Sequence, residues 1–75
     1  MMLIYEAYYK TLGENIAFYR NRRGLTQEQL GEMADTTRVH LSRVENADCA
    51  VSLDLVFAIA DALGVGPYKL FQNKE

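Results

Sequence analysis

The 75-residue sequence has few of the residues that stabilise very small domains through covalent or metal bonds. Its only cysteine is Cys49 and its only histidine is His40, so neither an internal disulfide nor a Cys/His metal cluster can form. A single unpaired thiol is typical of a reducing compartment. We therefore expect no metal and no other cofactor, and we expect helix packing or a partner subunit to stabilise the fold.

Long apolar runs and export signals are also absent. No stretch approaches the ~20 residues that a membrane-spanning helix requires. The first ten residues, MMLIYEAYYK, lack the basic start and the small-residue cleavage site of a signal peptide. We expect a single-domain cytoplasmic protein with no membrane partner.

The net charge of −2 is unevenly distributed along the chain. Between Arg20 and Arg43 there are five arginines and three acidic residues, a net charge of +2, whereas the rest of the chain carries −4. A locally basic segment in an acidic molecule is compatible with a nucleic-acid partner. An enzyme is not expected, because there is no glycine-rich phosphate loop and no nucleophile with a base at a recognisable spacing.

Helical signals dominate the sequence after residue 10. The capping residues that we identify are Thr11, Thr26, Thr37 and Ser52, and Pro67 is placed to begin a short last helix. The predicted helices are 12–23, 27–33, a third from the Thr37 cap to 45, a fourth from the Ser52 cap to the stop at Gly64, and PYKLFQN. Residues 1–10 form an N-terminal arm whose pattern fits either a helix or a strand, and residues 11–75 form the domain.

The stretch TQEQLGEMADTTRVHLSRVEN, residues 26–46, predicts two short helices joined by a tight turn. The residues expected to face the core are Leu30, Ala34, Leu41 and Val44. Gly31 provides a small side chain where the helices approach each other, and Asp35 tolerates a positive φ in the turn. The second helix then presents Thr37, Arg38, Ser42 and Arg43 on its outer face.

These residues resemble a known family. The string LGENIAFYRNRRGLTQEQLGEMADTTRVHLSRVEN, followed by LVFAIADALGV, is similar to the Cro/cI-type (XRE) helix-turn-helix domain of phage repressors and small bacterial regulators. The resemblance covers residues 12 to about 71 and implies an all-α, compact five-helix, lambda-repressor-like domain. It also implies binding of double-stranded DNA, usually as a dimer.

The resemblance implies roles for individual residues, by position. The residues expected to read bases are Arg38, Val39 and Arg43; those expected to contact the DNA backbone are Gln27, Thr37, Ser42 and Asn46. Arg20 and Glu45 match an internal ion pair between the first helix and the end of the third.

The leading hypothesis is a sequence-specific transcriptional regulator, a repressor that acts as a homodimer on a two-fold related operator. The dimer contact is expected in PYKLF, through Tyr68, Leu70 and Phe71, with help from the N-terminal arm. The alternative is a protein-interaction module on the same fold, antitoxin- or antirepressor-like, with a protein partner and weak or no DNA binding. The net charge and Asp48 favour the alternative, whereas the exposed arginines oppose it.

Overall fold

The computed structural model describes residues 4–73, and the elements in this range are helical. The four α-helices are α1 (Glu6–Arg22), α2 (Gln27–Met33), α3 (Arg38–Glu45) and α4 (Leu53–Leu63), followed by a 3-10 turn at Pro67–Leu70. The all-α fold class is therefore confirmed, and the expected fifth helix is this single turn. No helix within these residues is long and apolar enough to cross a membrane.

Helix α1 begins six residues earlier than the sequence predicts. The predicted start at Leu12, capped by Thr11, is wrong, because residues 6–10 are helical and continuous with the rest of α1. Tyr9 packs against the core one turn before Leu12, so the buried stripe extends upstream of the expected cap. Residues 1–3 of the predicted arm lie outside the described residues.

The other three helix starts agree with the sequence. The Thr26 hydroxyl accepts from the main-chain N–H of Gln29 at 3.0 Å, while the Gln29 side chain accepts from the Thr26 N–H at 2.8 Å. Thr37 caps α3 at 3.0 Å and Ser52 caps α4 at 3.2 Å in the same way. Gly64, with a φ of 71°, ends α4 in the left-handed conformation that glycine adopts without steric cost.

The core lies where the four helices and the 3-10 turn meet. Its buried apolar residues are Leu12, Ile16, Leu30, Ala34, Leu41, Val44, Val56, Ile59, Ala60, Leu63 and Leu70. Two other buried residues of α1 hold neighbouring segments in place. A Cβ at Gly13 would lie 2.7 Å from the Val44 carbonyl oxygen, so α1 and α3 cross with their backbones in contact. The Asn15 side chain donates from Nδ2 to the carbonyls of Leu70 and Gln72.

Candidate nucleic-acid interface

The turn between α2 and α3 fixes the direction of the second helix. Asp35 has a φ of 60°, the left-handed conformation expected from the sequence. A Cβ at Gly31 would lie 3.2 Å from the Thr36 carbonyl oxygen, so the two helices are close at this point, also as expected. The four residues predicted to face the core, Leu30, Ala34, Leu41 and Val44, are buried. One face of α3 is therefore held inward and the opposite face is left to solvent.

The outer face of α3 carries the residues that the sequence proposes for DNA contact. The exposed ones are Thr37, Arg38, Val39, Arg43 and Asn46, while Ser42 is half-buried. Within residues 4–73 the Arg38 side chain has no hydrogen-bond partner, and Arg43 makes only a long contact, 3.4 Å from Nη2 to the Asp48 carbonyl oxygen. Both guanidinium groups therefore have donors available for an external ligand.

Arg20 and Glu45 form a bidentate ion pair behind this face. Arg20 Nε lies 2.7 Å from Glu45 Oε2, and Nη2 lies 3.1 Å from Oε1. The two side chains are 13% and 6% exposed. The remaining terminal nitrogen of Arg20 donates to the Leu25 carbonyl at 2.9 Å. This arrangement places the pair between α1, the end of α3 and the loop before α2, and joins these three segments.

Gln27, the expected phosphate contact, is joined to this pair. Its Nε2 donates to Glu45 Oε1 at 3.0 Å, and the side chain is half-buried. Sequence reasoning missed this contact because the two residues are 18 positions apart and lie on different helices. Gln27 is thus the one proposed backbone-contacting residue whose side chain is already held by the ion pair.

Arg22 and Arg23, at the end of α1, contact the protein itself. Arg23 Nη1 donates to the Leu63 carbonyl at 2.5 Å, where it satisfies a carbonyl at the end of α4. The Arg22 guanidinium lies 5.5 Å from the centre of the Phe18 ring, within reach of a cation–π interaction. Neither residue is on the outer face of α3.

His40 and the loop after α3 contain no further functional cluster among the described residues. His40 is exposed, and its Nδ1 lies 3.1 Å from the Thr36 hydroxyl. Ala47, immediately beyond α3, has a φ of 58°, a left-handed conformation that the sequence did not indicate because alanine rarely adopts it. The two ends of α3 are therefore both bounded by left-handed residues, Asp35 and Ala47.

Comparison with known proteins identifies a family, a relative by sequence and two similar solved structures. The family model described as Helix-turn-helix (HTH_3) matches residues 16–70. Control protein C.SmaI of Serratia marcescens is 37% identical over 63 residues, which are 84% of this chain and 75% of that protein.

Two solved structures are similar over most of their length. The restriction-modification controller protein C.AhdI from Aeromonas hydrophila has a TM-score of 0.84 at 31% identity, covering 87% of this chain and 98% of that one. The c2 repressor of phage P22, in complex with a synthetic operator, has a TM-score of 0.77 at 25% identity, covering 84% of this chain and 96% of that one.

Proposed function

We propose that this chain, which belongs to the helix-turn-helix (HTH_3) family, is a sequence-specific double-stranded DNA-binding regulator of transcription. The observation that carries the proposal is the outer face of α3, where Arg38, Val39 and Arg43 are exposed on a helix whose opposite face is buried. The controller protein C.AhdI supports a role in regulation, and the c2 repressor in complex with a synthetic operator supports a role in repression.

Helix α3 enters the major groove in this proposal. An α-helix fits that groove, and each base pair presents a distinct pattern of donors and acceptors there. Arg38 and Arg43 are five positions apart, about 140° around an ideal helix, so they flank the edge that faces the bases. Each guanidinium can bond two acceptors of one guanine, and Val39 can contact a thymine methyl group.

The backbone contacts come from the residues around that edge. Thr37 and Asn46 are exposed at the two ends of α3, Ser42 lies between them, and Gln27 is at the start of α2. Such contacts fix the orientation of the protein on the duplex without reading the sequence. The exposed charges of Arg38 and Arg43 attract the phosphates, although the whole molecule is acidic.

A homodimer would supply the second reading helix. The exposed rings of Tyr5 and Tyr8 are at the start of α1, and those of Tyr68 and Phe71 are near the end of the chain. The Thr11 hydroxyl donates to Asn73 Oδ1 at 3.4 Å, so the two ends adjoin and can form one apolar interface. Leu70, which the sequence assigned to this interface, is 0% exposed and belongs to the core, so that part of the prediction is wrong.

Selection of bound sequences from random double-stranded DNA tests the proposal directly. We expect enrichment of a two-fold related site whose halves are centred about 34 Å apart, one helical turn. Affinity for that site should fall steeply as salt rises, because bound phosphates release counterions. No enrichment, together with salt-independent capture of a protein partner, would instead support the interaction-module alternative.

A further inference from the structure

One buried carboxylate connects the helix that would read bases to the helix that would contact phosphate. Glu45 ends α3, and its Oε1 accepts from both Arg20 Nη2 and Gln27 Nε2, at 3.1 and 3.0 Å. Its Oε2 accepts from Arg20 Nε at 2.7 Å. Both oxygens of the carboxylate are therefore used, and one of them is shared between α1 and the first residue of α2.

The hydrogen bond to Glu45 leaves Gln27 with one unused N–H donor. A glutamine amide nitrogen carries two hydrogens, and only one is directed at Glu45 Oε1. A free glutamine side chain would lose its rotamer freedom when it bound a phosphate, whereas a side chain already held in place loses less. The contact with Glu45 thus orients the Gln27 amide before any DNA is present.

Arg20 reduces the repulsion between the Glu45 carboxylate and the DNA phosphates. A carboxylate close to the DNA backbone repels it, but here the charge is 6% exposed and bonded to a guanidinium through two atoms. The same guanidinium donates to the Leu25 carbonyl, so it also holds the loop from which α2 begins. Arg20 therefore fixes the start of α2 relative to the end of α3.

We infer that Glu45 is a positioning residue for DNA docking, which holds the Gln27 amide so that its second Nε2 hydrogen donates to a phosphate oxygen. This inference rests on the proposed function. Glu45 touches no DNA; it acts through Gln27, and Arg20 neutralises its charge. Loss of the network should therefore weaken binding to all DNA sequences alike, because phosphate contacts carry no sequence information.

A double-mutant cycle tests the inference without a change of net charge. Gln27→Ala is measured in the natural chain and in the Arg20→Met/Glu45→Met variant, where an apolar pair replaces the ion pair, a replacement that buried pairs often tolerate. We expect Gln27→Ala to weaken binding about tenfold in the natural chain, the size of one charge-assisted hydrogen bond. In the variant the loss should fall to about twofold or less, because Gln27 is no longer oriented. Equal losses in both backgrounds would overturn the inference.

A second pair of variants serves if the apolar replacement does not fold. Glu45→Gln and Glu32→Gln remove the same charge, but Glu32 is exposed on α2 and has no part in the network. Electrostatics alone predicts that both variants, once circular dichroism shows them to be folded at the temperature of measurement, bind DNA as tightly as the natural chain or more tightly. We expect only Glu45→Gln to weaken binding, by about threefold or more, because a neutral amide oxygen holds the Gln27 side chain less firmly than a carboxylate does. Equal behaviour of the two variants would contradict the inference.

The order of the Gln27 amide can also be measured without DNA. In the free protein, NMR relaxation of its Nε2 group should show restricted motion, and Glu45→Gln should increase that motion. A mobile Gln27 amide in the natural chain would overturn the inference, whatever the DNA result. If the natural chain bound no DNA while this amide were ordered, the proposed function would fail and the orienting contact would still be established.

Discussion

The side-chain amide of Asn15, in the middle of α1, donates to the main-chain carbonyl of Leu70, 2.9 Å away at the end of the 3-10 turn. A second bond from the same nitrogen reaches the Gln72 carbonyl at 2.7 Å. Asn15 is 1% exposed, so its amide has been withdrawn from water and depends on these two carbonyls. This contact holds the segment that carries the exposed rings of Tyr68 and Phe71.

Asn15→Asp should lower the free energy of unfolding by about 3 kcal/mol, because it replaces the shared donor by an acceptor and leaves the buried Leu70 carbonyl without its partner. Urea unfolding measures the loss, and hydrogen exchange should show the earliest opening at residues 70–73. Asn21→Asp is the matched control, since Asn21 is exposed on the same helix. Equal stability of the two variants would show that the buried contact contributes nothing.

Glu45→Ala should destabilise the protein by about 3–5 kcal/mol, because it leaves the Arg20 guanidinium, 13% exposed, without its counter-charge. For a chain of this size the melting temperature should fall by more than about 10 °C. Glu32→Ala removes an exposed acid and should change it little. An unchanged melting temperature for Glu45→Ala would contradict the structural role of the pair.

The two buried helical glycines should respond differently to alanine. At Gly13 a Cβ would lie 2.7 Å from the Val44 carbonyl oxygen, so Gly13→Ala forces α1 and α3 apart and should cost about 1–3 kcal/mol. At Gly31 the nearest atom would be 3.2 Å away, and the better helix propensity of alanine offsets most of the crowding. Chemical denaturation measures the free energy of unfolding of both variants. Equal losses of stability would contradict the close α1–α3 crossing.

Arg38→Ala and Arg43→Ala should each cost about 1–3 kcal/mol on a selected operator and reduce the preference for particular bases. Gln27→Ala should instead weaken selected and scrambled DNA by the same factor, because it removes a phosphate contact. Titration of each variant against both DNAs gives the ratio of its affinity for the selected operator to its affinity for scrambled DNA. If the arginine variants kept the original ratio of affinities, these residues would not read bases.

Tyr68→Ser/Phe71→Ser should weaken self-association, since these side chains are 62% and 50% exposed and can be changed without opening the core. Sedimentation at several concentrations, with and without operator DNA, measures the effect. Leu53→Ser is the control, because Leu53 is similarly exposed but lies at the start of α4. A natural chain that stayed monomeric at high concentration in both conditions would contradict the proposed dimer.

Local sequence patterns were sufficient to predict interactions between residues that are close together in the sequence. The caps at Thr26, Thr37 and Ser52 each bond an N–H three residues later, so the spacing alone predicts them. The inward face of α2 and α3 follows from helical periodicity in the same way. The spacing of Thr11 and Glu14 misled because a threonine three residues before a glutamate also occurs inside helices, where α1 in fact places it.

Contacts between distant parts of the chain could not be predicted. Asn15 is 55 residues from Leu70, and nothing near Asn15 in sequence indicates a buried acceptor. The contact of Gln27 with Glu45 depends equally on how α2 and α3 are packed. In the candidate site, therefore, the sequence indicated which side chains are exposed on α3. The hydrogen bonds that Glu45 makes behind this face could be identified only from the structure.

The exposure of Arg38, Val39 and Arg43 also bears on how such a protein can change its target during evolution. Folding depends on the inward residues of α3 and on its caps, and substitutions at exposed positions usually alter stability by less than about 0.5 kcal/mol. Mutations of the outward residues can therefore accumulate without loss of the fold. Duplicated copies of the gene could diverge to recognise separate operators while they retain the same scaffold, and a designer could retarget the protein by the same three positions.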